Sequence, residues 1–170
     1  GKVHSHAFKD MSFFFPEAAA YPVMKAICGR NEANVSDAAK TFGWQSYETD
    51  WKTLIGRDDI HLIDVSTPGD SHAEIAIAAA EAGKHVFCEK PPGRDLEDIA
   101  KVVAREKRHP GQKLKYGFNH RYHNSVRAAL DLVGSGELGE VTNLRGLYGK
   151  SQLITFGQPS WRTERALAGG

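Results

Sequence analysis

Short apolar runs alternate with longer helical periods between Pro22 and Phe118, and this alternation constrains the fold more than any other feature of the chain. Each apolar run has the length and the bounding turn residues of a buried strand. Strands that alternate with helices predict right-handed βαβ units on a parallel sheet, and therefore an α/β fold. The predicted strands cover residues 23–28, 60–65, 85–88 and 113–118.

The segments between these runs have helical spacing. Val35, Ala39 and Phe42 lie on one helical face, and Gly43 is a typical residue for a helix end. Asp50 is placed to cap a short helix that carries Trp51. Further amphipathic or alanine-rich helices are predicted over residues 73–82 and from residue 96 to residue 103.

Polar residues follow every predicted strand. Because the carboxyl ends of parallel strands meet at one edge of a sheet, these residues are expected to face a common ligand crevice. The clusters are Gly29-Arg30-Asn31, Ser66-Thr67-Pro68, Glu89-Lys90-Pro91 and Asn119-His120-Arg121.

The pattern changes after Phe118, where we expect a domain boundary. Val126, Leu130 and Val133 predict a helix, and the polar alternation over residues 141–148 predicts a strand in a sheet that is open on one face. We therefore expect one domain over residues 1–118 and the beginning of a second over residues 119–170.

Composition excludes several classes of function. The chain has 22 basic and 21 acidic side chains, a net charge of +1, and no concentrated basic patch, which argues against binding to nucleic acid. It lacks an apolar stretch of the length needed to cross a membrane, about 18 residues. Cys28 and Cys88 have no metal-binding or redox spacing, so we expect them to pack as small hydrophobes in a reducing, cytoplasmic setting.

Two pairs of histidines are candidate metal ligands. His4 and His6, and likewise His120 and His123, have spacings that occur in metal sites. Neither pair has a third ligand in a recognisable arrangement, so no metal is expected.

An ordered series of motifs resembles the Gfo/Idh/MocA oxidoreductases, typified by glucose–fructose oxidoreductase and inositol 2-dehydrogenase. The resemblance implies a Rossmann-type doubly wound sheet, here without its first strand, followed by the opening of an α+β domain. It also implies hydride transfer between NAD(P) and a secondary alcohol of a sugar, polyol or derivative. The series is Thr67-Pro68 with His72, Cys88-Glu89-Lys90-Pro91, Phe118-Asn119-His120-Arg121, Gly136-Glu137-Leu138-Gly139, Trp161-Arg162 and Ala168-Gly169-Gly170.

The resemblance implies that Lys90 is the catalytic residue. A lysine beside a nicotinamide can hydrogen-bond the substrate hydroxyl and assist its proton transfer, and it contacts both cofactor and substrate. Glu89 is expected to position Lys90 or to contact the cofactor, and the bond before Pro91 is expected to be cis. A lone lysine in a loop is more often simply solvated, so this role depends on the series of motifs.

Other cofactor contacts are implied in the same way. Gly1 corresponds to the third glycine of a GxGxxG turn. Gly29 occupies the place of the acidic residue that normally binds the adenosine ribose, and the following Arg30 slightly favours NADP over NAD. The remaining implied cofactor contacts are Thr67, Pro68, His72, Asn119, Trp161 and Arg162. The segment from Thr67 to His72 is equally suited to capping a helix through Asp70 or Ser71. Arg121 and Tyr148 are weaker candidates, for contact with the substrate.

The resemblance also implies that the chain is a piece of a longer protein. In the family the first strand and two glycines precede Gly1, and a catalytic Asp and His follow the glycine pair at residues 169–170. We therefore expect these 170 residues to be inactive alone, and the complete protein to be a homo-oligomer. The alternative is a Rossmann-like module that senses a sugar or nucleotide without turnover.

Overall fold

The computed structural model describes residues 1–147, 149 and 164–168. Tyr148, Trp161 and Arg162 lie outside the described residues. Strands and helices alternate through the first 118 residues. In chain order the elements are α1 (Lys2–Phe14), β1 (Ala26–Cys28), α2 (Glu32–Phe42), β2 (Ser46–Glu48), α3 (Trp51–Ile55), β3 (Leu62–Val65), α4 (His72–Glu81), β4 (His85–Cys88), α5 (Leu96–Arg108), β5 (Leu114–Tyr116), α6 (Asn124–Gly134) and α7 (Arg165–Ala168).

All strand pairs are parallel, as the alternating pattern predicts. β1 pairs with β2, and β4 lies between β3 and β5 in a three-stranded sheet. Over the described residues β1 and β3 do not pair with each other. The arrangement confirms the Rossmann-like α/β fold.

The three-stranded sheet has two different faces because side chains alternate along each strand. The side chains on one face are buried in the main core together with α4, whereas those on the other face include Asp64 and Phe87. His4 of α1 contacts both of these residues, whereas Leu62 on the same face is exposed. The buried face consists of Ile63, Val65, Val86 and Cys88, packed with Ile75, Ala76 and Ala79 of α4.

Helix ends follow the predicted signals. Gly43 ends α2 with a positive φ of 73°. Asp50 caps α3 by accepting the backbone N–H of Lys52 at 3.1 Å. Asn31 caps α2 and Asp95 caps α5 in the same manner. Local hydrogen bonding therefore sets where these helices start and stop.

Three parts of the sequence-based assignment are wrong. The strand predicted over residues 141–148 is not formed, because residues 141–147 have no regular secondary structure and pair with no strand in the described chain. Leu144 and Leu147 are exposed there. β1 and β3 begin at Ala26 and Leu62, later than predicted, and β2 was not predicted.

The two cysteines are free, and Cys88 is buried in the core. Burial raises the pKa of its thiol to about 12. The half-buried Cys28 thiol also has a raised pKa, mainly through burial. In the part of the chain that the structure describes, the helices are all too short or too polar to cross a membrane.

The loop after Pro92 is packed tightly against the first turn of α5. Asp98 of this turn accepts hydrogen bonds from the backbone N–H and the Nε of Arg94, each at 3.1 Å. A methyl group placed on Gly93 would lie 2.5 Å from the Cβ of Asp98. Both atoms are rigidly attached to the backbone, so the loop or the helix has to move to admit a side chain at residue 93.

We expect Gly93→Ala to lower the free energy of unfolding by about 1–3 kcal/mol, the usual cost of overpacking a well-packed site. Gly111→Ala is the matched control, because a methyl group there meets no atom within 4 Å. Urea unfolding of the protein that contains this chain measures both changes. Equal stability of the two variants would contradict the tight contact.

Candidate functional site

The carboxyl ends of β3, β4 and β5 lie side by side at one edge of the sheet. Backbone pairing continues beyond the strands, because the N–H of Glu89 donates to the carbonyl of Val65 at 2.9 Å and that of Gly117 donates to the carbonyl of Cys88 at 2.8 Å. The residues that follow the three strands are therefore held next to one another. Three of the four predicted polar clusters follow these strands and therefore lie at this edge.

His72 links two loops at this edge. It is only 1% exposed. Its Nδ1 lies 2.7 Å from the carbonyl oxygen of Pro91, and its Nε2 lies 2.8 Å from the carbonyl oxygen of Thr67. The loop after β3 is thereby tied to the loop after β4, and the side chain itself is shielded from any ligand in the crevice.

The segment between Thr67 and His72 forms a single 3₁₀ turn, Gly69–Ser71, before α4. The Ser71 hydroxyl donates to the Thr67 hydroxyl at 2.7 Å and also lies 3.0 Å from the carbonyl oxygen of Pro68. Thr67 is exposed, whereas Gly69 is buried. The turn therefore presents Thr67 to solvent at the strand edge.

Lys90 is exposed and follows β4 directly. Its backbone N–H donates to Oε2 of Glu89 at 3.1 Å, and the Lys90–Pro91 peptide is cis, as the resemblance implied. Pro91 and the carbonyl oxygen of Leu167 in α7 both approach Gly69, since a Cβ on this glycine would lie 3.7 Å from Cγ of Pro91 and 3.6 Å from that oxygen. Lys90 thus lies where the two loops and α7 come together.

Glu89 is held by three neighbours. Its Oε1 lies 3.0 Å from Nε2 of His4, and its Oε2 accepts the Lys90 N–H. A methyl group on Gly117 would lie 3.2 Å from Oε1, so the carboxylate packs against the backbone that follows β5. This arrangement fits the expected positioning role of Glu89 beside Lys90.

His4 and Asp64 also lie beside Glu89, although neither was predicted as a site residue. The Nδ1 of His4 lies 2.8 Å from Oδ2 of Asp64. The pKa of His4 is raised, chiefly by the hydrogen bond to Asp64, while burial opposes the shift. The available signal was the position of His4 three residues after Gly1, which places it in the first helical turn. His6 instead pairs with Asp10 along the helix.

The first turn of α1 can accept an anion. Gly1 is the N-cap and provides no side-chain cap, and a Cβ on it would meet no atom within 4 Å. The unpaired N–H groups and the positive end of a helix of this length are suited to a pyrophosphate. The site therefore fits a dinucleotide on the chemistry of its donors. Across the described residues there is no cluster of three His, Cys, Asp or Glu arranged to hold a metal ion.

Of the two remaining groups of predicted residues, one lies at this edge and the other does not. Asn119 and Arg121 lie in a 3₁₀ turn just after β5, and the Arg121 guanidinium lies 5.9 Å from the centroid of the Phe118 ring. They therefore share the β3–β5 edge. Gly29 and Arg30 instead follow β1, which belongs to the two-stranded sheet.

Gly29 packs closely against α2, since a Cβ there would lie 3.2 Å from the Cβ of Val35. Arg30 is exposed. Over residues 1–147, 149 and 164–168 it makes no hydrogen bond or ion pair. The guanidinium is thus available to an anionic group at the end of β1.

The sequence profile described as "Oxidoreductase family, NAD-binding Rossmann fold", that of the Gfo/Idh/MocA proteins, matches residues 1–118. The chain belongs to this family. This oxidoreductase family membership agrees with the ordered motifs and with the parallel sheet described above.

Individual relatives agree with this family assignment. Levoglucosan dehydrogenase of Pseudarthrobacter phenanthrenivorans is 38% identical over 170 residues, which cover 99% of this chain and 43% of the relative. A structure of levoglucosan dehydrogenase with NADH and levoglucosan has a TM-score of 0.93 at 37% identity, over 100% of this chain and 46% of that one. An oxidoreductase domain protein from Kribbella flavida has a TM-score of 0.92 at 39% identity, over 99% of this chain and 45% of that one. The chain therefore spans less than half the length of these family members.

We expect His72→Ala to destabilise the protein by about 2–4 kcal/mol, because the carbonyls of Thr67 and Pro91 lose a buried donor. His61→Ala is the matched control, since His61 is exposed just before β3. Urea unfolding measures both variants. A loss in His72→Ala no greater than that in His61→Ala would show that the two loops are held by other contacts.

Proposed function

We propose that the protein containing this chain is an NAD(P)-dependent dehydrogenase that acts on a secondary alcohol of a sugar, a polyol or a derivative. The observation that carries the proposal is the joining of Lys90, Glu89 and the Thr67 loop at one strand edge in a member of this oxidoreductase family. The complex of levoglucosan dehydrogenase with NADH and a sugar derivative adds support.

The residues have separate roles in this proposal. The N–H groups of the α1 turn after Gly1 bind the pyrophosphate, and Thr67 and Pro68 line the cofactor, while His72 acts through the loops it joins. Asn119, Trp161 and Arg162 are proposed to approach the cofactor from the second domain. Arg121 and Tyr148 are proposed to contact the substrate.

Lys90 is proposed to hold the reacting hydroxyl. Oxidation of a secondary alcohol removes a hydride from carbon and a proton from oxygen, and the nicotinamide ring supplies the hydride acceptor when it is bound. The Lys90 amino group polarises the hydroxyl or, in its neutral form, accepts its proton. The Glu89 carboxylate keeps the Lys90 peptide in place by accepting a hydrogen bond from its backbone N–H.

The proposal includes a domain arrangement and a cellular setting. Residues 1–118 form the dinucleotide-binding domain, and residues 119–170 begin the α+β domain that carries substrate and oligomer contacts. The complete protein is proposed to be a cytoplasmic homo-oligomer without nucleic acid or membrane partners. The 170 residues alone are proposed to lack activity.

The cofactor is proposed to be NAD(P), with a slight preference for NADP. The absence of an acidic side chain at Gly29 and the exposed guanidinium of Arg30 support acceptance of a 2′-phosphate. The relative that binds NADH shows that the same fold accepts the other cofactor.

We expect Lys90→Ala in the complete protein to lower kcat by about 10²- to 10⁴-fold, because the variant lacks the amino group that assists proton transfer from the substrate hydroxyl. The affinity for NADH is expected to change little. Lys90→Arg keeps the charge but cannot accept a proton at neutral pH, so it is expected to be equally slow. Lys107→Ala, exposed at the end of α5, is the control. Turnover is measured with a polyol and sugar panel, and affinity by NADH fluorescence.

Two results of this experiment would overturn the assignment. Unchanged turnover of Lys90→Ala would remove Lys90 from the mechanism. Binding of a dinucleotide or sugar by the unmodified protein, with no turnover of any member of the panel, would favour the sensor over the enzyme.

We expect Arg30→Ala to weaken NADPH binding about tenfold or more and to leave NADH binding unchanged, because only NADPH carries the phosphate that the guanidinium would pair with. Lys40→Ala, exposed near the end of α2, is the matched control. Fluorescence titration with both cofactors measures the effect. Tighter binding of NADH than NADPH by the unmodified protein would contradict the NADP preference.

A further inference from the structure

His4 occupies a position between two carboxylates that come from different strands. Its Nδ1 lies 2.9 Å and 2.8 Å from the two oxygens of Asp64 in β3, and its Nε2 lies 3.0 Å from Oε1 of Glu89 after β4. The Ser66 hydroxyl lies 3.1 Å from the same Nδ1 and donates to Asp64 at 3.3 Å. The imidazole thus joins α1 to two neighbouring strands.

The hydrogen-bonding capacity of these groups indicates the charge of His4. An ionised carboxylate only accepts hydrogen bonds, so each ring nitrogen of His4 has to carry a hydrogen to satisfy its partner. An imidazole with both nitrogens protonated is a cation. The 16% and 12% exposure of the His4 and Asp64 side chains keeps this pair largely out of water.

The charged groups around His4 favour this cation. Asp64 faces it from β3 and Glu89 from the end of β4, and both raise its pKa, with the Asp64 hydrogen bond as the largest cause. Burial lowers it, and the net direction is upward. Phe87, the other neighbour from β4, is uncharged and lies 5.5 Å away between ring centroids.

Glu89 connects His4 to the loop that carries Lys90. One of its oxygens faces His4, and the other accepts the backbone N–H of Lys90. Gly117 has no side chain, so the Glu89 carboxylate can pack directly against the backbone of Gly117. Removal of His4 would leave Glu89 without its partner on the α1 side.

We infer that His4 is a positioning residue whose imidazolium bridges Asp64 and Glu89 and so holds the Glu89 carboxylate against the peptide of Lys90. The same bridge fastens the anion-binding turn of α1 to the strand edge that carries Lys90. Its effect on catalysis rests on the proposed function, whereas the bridge itself does not.

The bridge has a defined pH dependence. Because the pKa of His4 is raised in the folded protein, the bridge is fully present below the ordinary value of 6.5 and is lost as the pH rises through the raised value. Turnover that depends on the bridge therefore falls on the alkaline side. His6 is 77% exposed and pairs with Asp10 along the helix, away from both carboxylates of the bridge, so it provides a control position in the same helix.

The bridge is tested first by ¹⁵N–¹H correlation NMR of the full-length protein labelled at histidine, with His4 assigned by its absence in His4→Gln. We expect both ring nitrogens of His4 to show imidazolium shifts at pH 7, and its titration midpoint to lie above the ordinary histidine value of 6.5. Asp64→Asn is expected to lower this midpoint by about one pH unit. A His4 with a single protonated nitrogen at pH 6.5 would overturn the inference.

The positioning role is tested by kinetics of His4→Gln and of the control His6→Gln. We expect His4→Gln to lower kcat by about 10- to 100-fold, to alter the KM for substrate much less, and to lose the alkaline decline of kcat. His6→Gln should behave as the unmodified protein. A His4→Gln variant with unaltered kcat and pH profile would overturn the role.

Two further outcomes keep the test decisive. If His4→Gln does not fold, Asp64→Asn replaces it, and its alkaline decline is expected to move to lower pH by the shift that NMR measures. An unmodified protein without dehydrogenase activity would contradict the proposed function, while the NMR titration would still decide the bridge.

Discussion

Parallel backbone pairing of β4 with β3 and β5 is the constraint on which the described site depends. The pairing sets Ile63, Val65, Val86 and Cys88 on one face and Asp64 and Phe87 on the other. It continues through Glu89 and Gly117 past the strand ends. The groups that lie beside Lys90 are therefore positioned by main-chain hydrogen bonds, which tolerate side-chain changes elsewhere on the sheet.

Two histidines hold this edge from opposite sides. His72 begins α4, on the buried face, and reaches the carbonyl oxygens of Thr67 and Pro91. His4 lies in α1, on the other face, and reaches Asp64 and Glu89. Lys90 lies between these contacts, so its backbone is restrained while its side chain stays exposed. A restrained peptide with an exposed side chain is compatible with the proposed contact between Lys90 and the substrate hydroxyl.

Local patterns were sufficient for the elements that carry their own signals. β4 matches its predicted bounds, and Asp50 and Gly43 act as predicted. β2 was missed because Ser46-Tyr47-Glu48 is short and largely polar, so its pairing with β1 produces no apolar run. The strand predicted over residues 141–148 shows the opposite error, since residues 141–147 pair with no strand among the described residues, and polar alternation alone does not make a sheet.

The bridge of His4 lay beyond sequence reasoning for a different physical reason. Asp64 and Glu89 are 60 and 85 residues away from His4 in the chain, and only the register of β3 and β4 brings their carboxylates to it. Read alone, His4 and His6 suggest a metal pair, whereas a helix turns residues two apart to different faces. Sequence spacing therefore identified the motif residues but not the residue that links them.

The two ends of the cofactor site differ in how strongly the fold restrains them. At the Lys90 end, Glu89 and His72 are each bound to partners on two or more elements, so a substitution there disturbs buried contacts. At the β1 end, Arg30 is exposed, and its replacement removes no described contact. If Arg30 binds the cofactor as proposed, its substitution would alter cofactor preference at little cost in stability, whereas a substitution of Glu89 or His72 at the proposed catalytic end would also break contacts that hold the sheet edge together.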